Sequence, residues 1–163
     1  MKTKGEKHAE KVIAGLDGKR VVVSLSGGLD SPTVMGFLLN AGSDVVVVSF
    51  DYGQIHDKEL LAMREIVRYY KEKFPGRVHG PMLLNTGFMR AIGGSALTDD
   101  AFSIPTGRSE EEMKKIPITY VPGRNTIFIS CALSVAEVQK CDAVAVGVNS
   151  VDFSGYPDCR PLN

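Results

Sequence analysis

Tryptophan is missing from this chain, and histidine and cysteine are scarce at 3 residues each. Cys131, Cys141 and Cys159 are odd in number and far apart, which excludes a disulfide framework and a CxxC zinc pair. Net charge is also missing. The 19 basic residues balance 19 acidic ones, so nothing favours bulk attraction to nucleic acid or to an anionic membrane. No apolar run approaches the roughly 18 residues of a membrane span. The start, Met1-Lys2-Thr3-Lys4-Gly5-Glu6, lacks the apolar core of a signal peptide. Internal repeats and low-complexity tracts are absent too. The sequence therefore predicts a cytoplasmic globular enzyme. Its 163 residues, 44% hydrophobic and 23% charged, suffice for one domain with a real core.

The polar leader, residues 1–19, contains Ala9–Leu16 with the spacing of a short amphipathic helix. From Arg20 onward, apolar runs alternate with helical patterns. Strands are predicted over 20–25, 45–50 and 143–148, and a weaker one over 77–84, where Pro81 points to an edge or irregular position. Helices are predicted over 32–41, 57–73 and 125–139. Residues 85–124 and 149–163 read as long irregular stretches, a length usually reserved for functional or disordered loops. Within the first, Ser109–Lys115 reads as a solvated acidic turn. The alternation predicts a right-handed parallel α/β sheet, whose ligands sit beyond the carboxyl ends of the strands.

One of those ends carries Ser26-Gly27-Gly28-Leu29-Asp30-Ser31, between Val21–Leu25 and a helical pattern. A strand, a glycine turn and a helix start build a phosphate cradle, because the first helical N–H groups are free and the helix dipole favours an anion. Ser31 is expected as the N-cap and Pro32 at the first helical position. No Gly-Lys-Ser/Thr closes the loop, so it is not a Walker A motif, and the third glycine of the dinucleotide fingerprint is absent. The motif resembles the SGGxDS pyrophosphate loop of the ATP pyrophosphatase superfamily. That resemblance implies ATP cleavage between the α- and β-phosphates, with Asp30 near Mg²⁺ and the leaving pyrophosphate.

Other polar clusters fall at the same rim. Asp51-Tyr52-Gly53-Gln54-Ile55-His56 offers a ring to cover a purine and two possible donors; His56 taken alone reads more readily as a structural or surface residue. Gly93–Asp100 reads either as a turn with a helix cap or as part of a site. Arg124 stands at a helix entrance, where it adds fixed positive charge to an anion site. The alternative is that Asn125 or Thr126 caps the helix while Arg124 pairs with a surface acid. Residues 149–161 supply acids, an arginine and a tyrosine suited to the polar edge of a purine-like substrate. Cys159 has no neighbour at metal-ligand spacing.

Together SGGLDS at 26–31, SFDYGQ at 49–54, GGSALTDD at 93–100, ITYVPGRNTIF at 118–128 and GVN with DFSGYPDCRP at 147–161 resemble the QueC family of 7-cyano-7-deazaguanine synthases. The resemblance runs from about Arg20 to Pro161. It implies a Rossmann-like three-layer parallel sheet of the PP-loop ATPase (adenine nucleotide alpha hydrolase) type over residues 20–163. It implies a C–N ligase that adenylates 7-carboxy-7-deazaguanine, captures it with ammonia as an amide, then activates and removes the amide oxygen to leave the nitrile. ATP would be bound by Leu25, Ser26, Gly27, Gly28, Leu29, Asp30, Ser31, Pro32, Thr33, Val34 and Met35, with Asp51 and Tyr52. Gln54, Arg124, Asn149, Asp152, Tyr156, Asp158 and Arg160 would surround the substrate, and Asp30, Arg124 and Asp152 would take part in catalysis. Mg²⁺ and a homodimer are implied as well. A relative that passes the activated carboxylate to another amine, or an ATP-binding fragment without turnover, would share these motifs.

The chain departs from the family pattern in three ways. Pro32 replaces a small hydroxyl residue, and the leader is longer than usual. The sequence also stops at Asn163, before the four-cysteine zinc site expected near the family's C-terminus. The expectation is a nucleotide-binding domain shortened at its C-terminal end, with no zinc ligands of its own.

Overall fold

The computed structural model describes residues 4–52, 58–95 and 120–148. Helix α1 (Lys4–Ala14) is followed by β1 (Arg20–Ser24), α2 (Asp30–Asn40), β2 (Asp44–Asp51), α3 (Lys58–Lys73), β3 (Val78–Asn85), the short α4 (Phe88–Ile92), α5 (Arg124–Val138) and β4 (Ala143–Val146). The four strands form one parallel sheet in the order β3-β2-β1-β4. The chain thus winds outward from β1 to β3, then returns to the other side of β1. That reversal places the topological switch point between β1 and β4, where parallel sheets hold their ligands.

The valine runs explain why the sheet is central. Alternate side chains of a strand face opposite ways. Val21, Val23, Val45 and Val47 join Met35, Leu38 and Leu39 of α2 and Met63 and Val67 of α3 in one core. Val22, Val46, Val48 and Phe50 face the other way, onto Met89 of α4 and Ala132, Val135 and Ala136 of α5. Two helical layers therefore cover the sheet, as the α/β reading expects.

Pro81 does lie on an edge strand. Val46 pairs with His79 but Val48 pairs with Met82, so Gly80 and Pro81 together face Val47 in a bulge. Gly80 has φ 95°, and a Cβ there would lie 2.8 Å from the Val47 carbonyl oxygen.

Two expectations need correction. The region 85–124 is not wholly irregular, because α4 forms directly after β3 and buries Met89. Helix α2 begins at Asp30, with Leu29 in the N-cap position, so Ser31 is not the cap and Pro32 is the third helical residue. The physical reason is that the Ser31 hydroxyl turns back into the preceding loop. Pro32 still breaks no helical hydrogen bond, because its N–H would be among the unpartnered first four.

Candidate active site

A cleft of about 240 Å³ opens at the carboxyl ends of β1, β2 and β4. Its base is the chain leaving β1, Leu25 to Gly28. One wall comes from Glu59, Leu60 and Met63 of α3, the other from Arg124, Asn125, Phe128 and Ile129 of α5, and Gly147 and Val148 close the back. Parallel topology brings the amino ends of α2, α3 and α5 to this one rim, and each adds the partial positive charge of its free N–H groups.

The loop is internally bonded. The Ser26 N–H donates to Ser31 Oγ at 2.9 Å, and the two serine hydroxyls are 3.0 Å apart. The Gly28 N–H donates to Ser26 Oγ at 3.3 Å. On the strand side, the Leu25 N–H donates to the Val48 carbonyl and the Ser49 hydroxyl donates to the Leu25 carbonyl, both at 2.8 Å. Ser31 and Ser49 are buried; Ser26, Gly28 and Asp30 are exposed toward the rim.

Two glycines here are required by close approach. A Cβ on Gly27 would lie 2.5 Å from the Glu59 carbonyl oxygen, and one on Gly147 would lie 2.5 Å from both the N and Cα of Ser31. The loop is therefore held between the start of α3 and the end of β4 by backbone-to-backbone contact.

The apolar wall is aromatic. Phe50 and Phe128 stack with centroids 3.9 Å apart and planes 4° from parallel, and Tyr52 tilts against Phe128 at 5.8 Å. The Arg124 guanidinium lies 5.8 Å from the Tyr52 ring centre, a cation–π distance. Arg124 is the first residue of α5 after Gly123, which takes a left-handed conformation at φ 67°. Neither Asn125 nor Thr126 is the cap, and among the described residues no carboxylate pairs with Arg124. It is also the only cation lining the cleft among them.

Of the residues expected to hold nucleotide, Leu25, Ser26, Gly27, Gly28, Ser31 and Tyr52 line the cleft together with Arg124. Asp30 sits beside it at the start of α2, its backbone against Gly147. Leu29 points to solvent, Thr33 bonds the Leu29 carbonyl, and Asp51 ends β2. The Pro32 carbonyl accepts the Tyr70 hydroxyl at 3.0 Å; Val34 and Met35 join the core beneath α2. Gln54, His56, Asn149, Asp152, Tyr156, Asp158, Cys159 and Arg160 lie outside the described residues, as does 96–100 of the small-residue cluster. Sequence reasoning passed over Phe128 and Ile129, although residues 124, 125, 128 and 129 share one helix face. It also passed over Ser49, a lone hydroxyl in a buried strand.

The donor set suits ATP with Mg²⁺: free N–H groups and a guanidinium for phosphates, an aromatic wall for a base, and an exposed carboxylate, Asp30, beside them. Mg²⁺ commonly takes one or two carboxylates and completes its shell with phosphate oxygens and water. Zinc finds no comparable set, since no group of three or more His, Cys, Asp or Glu among the described residues is placed to hold a metal ion. Burial pushes the Cys141 thiol up, against the opposing charge of Arg20, which disfavours a thiolate there.

A model of the family described as queuosine biosynthesis protein QueC matches residues 20–162. A 7-cyano-7-deazaguanine synthase of Hydrogenovibrio crunogenus is 51% identical over 149 residues, covering 91% of this chain and 60% of that protein. One from Microcystis aeruginosa is 46% identical over 143 residues, covering 88% and 58%. The chain thus spans about three-fifths of the length of these curated relatives. Among solved structures, U34-tRNA thiolase NcsA from Methanococcus maripaludis is 15% identical with a TM-score of 0.49, over 89% of this chain and 46% of that one.

Proposed function

Since the chain belongs to the QueC family of queuosine biosynthesis proteins, we propose that it serves the ATP-dependent conversion of 7-carboxy-7-deazaguanine and ammonia to 7-cyano-7-deazaguanine. The observation that carries this reading is the cleft at the switch point, where a phosphate loop, an aromatic wall and the Arg124 guanidinium meet.

In this reading the loop and the amino end of α2 hold the pyrophosphate portion of ATP, and the purine lies between Leu60 and Met63 of one wall and Phe128 of the other. Mg²⁺, held by Asp30 and phosphate oxygens, would neutralise charge on the leaving pyrophosphate. Arg124 lowers the repulsion between the triphosphate and the incoming carboxylate. The carboxylate oxygen displaces pyrophosphate from the α-phosphorus, and ammonia then displaces AMP at the acyl carbon. The amide oxygen is adenylated in the same way, and loss of AMP and a proton leaves the nitrile. No protein nucleophile is needed, so the site works by holding two anions together and stabilising charge. Asn149, Asp152, Tyr156, Asp158 and Arg160 are proposed for the deazapurine, with Gln54, and Asp152 for catalysis. A cytoplasmic homodimer completes the proposal; exposed Leu133 and Val138 on α5 offer apolar surface for association.

Incubation with ATP, 7-carboxy-7-deazaguanine and ammonia, followed by mass spectrometry, tests the reading. The expected products are amide, then nitrile, with AMP and pyrophosphate released at each activation. Asp30→Ala should suppress pyrophosphate release. Transfer of the carboxylate to another amine, or ATP binding without pyrophosphate release, would replace the proposal with a different one.

A further inference from the structure

Ser49 stands where a valine would be expected. It follows four consecutive valines in β2, is 1% exposed, and its hydroxyl would be costly to bury without a partner. The partner is the Leu25 carbonyl, at 2.8 Å. That carbonyl belongs to the same peptide unit as the Ser26 N–H, which donates to Ser31 Oγ at 2.9 Å. One peptide plane is thus gripped at its oxygen by a hydroxyl from β2 and at its nitrogen by a hydroxyl from α2. It is the plane at which the chain stops being strand and becomes loop. Rotating it would break both bonds at once and leave the buried Ser49 hydroxyl without its partner. The grip then continues outward, from Ser31 to Ser26 Oγ and from there to the Gly28 N–H.

We propose that Ser49 is a positioning residue for the phosphate loop. With Ser31 on the far side of the Leu25–Ser26 peptide, it fixes the orientation in which the loop meets the terminal phosphates of the nucleotide. Ser49 lies under the cleft at 1% exposure with its hydroxyl given to the Leu25 carbonyl, so it acts through that peptide and not on the reacting atoms. This assignment rests on the nucleotide reading above.

Because the loop holds the pyrophosphate portion and not the base, the test compares Mg-ATP with AMP. Calorimetric titration of the chain with each ligand should show Ser49→Ala binding Mg-ATP about tenfold more weakly than wild type, with AMP affinity unchanged. Ser49→Thr, which keeps the hydroxyl, should restore the ratio. If Ser49→Ala fails to fold, Ser49→Cys keeps the shape but is a weak donor, and should show the same selective loss. An equal loss for both ligands would mean a general packing role, and unchanged Mg-ATP affinity would mean no role; either overturns the assignment. Failure of the nucleotide reading shows separately, in a wild-type protein that prefers neither ligand, and the assignment falls with it.

Discussion

At the amino ends of the strands, opposite charges pair with each other; at the carboxyl ends, the cation lining the cleft lies over an aromatic ring. Lys19 and Asp142 join β1 to β4 at 3.3 Å, and Asp142 also takes the Arg20 N–H at 2.9 Å. Arg77, before β3, reaches Asp44 at the start of β2 and bonds the Ser43 carbonyl, while the Ser43 hydroxyl bonds the Leu16 carbonyl. Here serines and ions are consumed in tying elements together. At the other end the serines shape a loop, and the cleft's one described cation lies over a ring. The same residue types therefore serve cohesion at one rim and readiness for a ligand at the other. What separates them is topology: strand carboxyl ends gather helix amino ends, whose free N–H groups invite an anion and need none from the protein.

Substitutions sharpen this contrast. The largest effect is expected from Gly147→Val, whose Cβ would press on the backbone of Ser31. Overpacking of this kind costs about 1–3 kcal/mol. Because the displaced group is the loop itself, ATP binding should weaken by about tenfold or more, as measured by titration alongside thermal unfolding. Arg124→Ala comes next, with ATP affinity falling about tenfold, as for loss of a charged hydrogen-bond partner. Arg124→Lys should not restore it, since an ammonium lacks the planar fork and its stacking on Tyr52. Tyr52→Leu removes the ring beneath the guanidinium and should cost about 0.5–1 kcal/mol in binding. That loss should vanish in an Arg124→Ala background; additive losses in the double-mutant cycle would show that Tyr52 does not act through Arg124.

The smallest effect belongs to the opposite rim. The Arg20 N–H, with Lys19, holds the Asp142 carboxyl below its ordinary value of 3.8. A group depressed by folding lends stability above its unfolded value, and loses that contribution as the pH falls through the folded one. Asp142→Asn should therefore flatten the decline in thermal stability below about pH 4, while leaving ATP affinity unchanged at pH 7. A change in ATP affinity would erase the division between the two rims.

The parts of the fold written in single-residue chemistry were legible. Runs such as Val45–Val48 can hardly be anything but buried parallel strands, and Pro81 announced the irregular edge. The glycine loop was legible as well, though not the reason for each glycine. Gly27 is required by the backbone of Glu59, some thirty residues on, and Gly147 by that of Ser31. No local pattern carries such contacts. The start of α2 was displaced for a related reason: Ser31 looks like a cap, but its hydroxyl has a better use across the loop. Helix α4 escaped notice because five residues between glycines show no period. Ser49 falls inside the SFDYGQ motif, but its meaning appears only once β1 lies beside β2.

Gly147 also has a mechanical consequence. Side chains between packed elements act as a compliant layer, because rotamers can shift before backbones do. Between β4 and the head of α2 there is no such layer. The joint is stiff, so a displacement of one backbone is passed to the other undiminished. The head of the phosphate loop's helix is thus referred directly to the end of β4, and their relative placement is set when the chain folds.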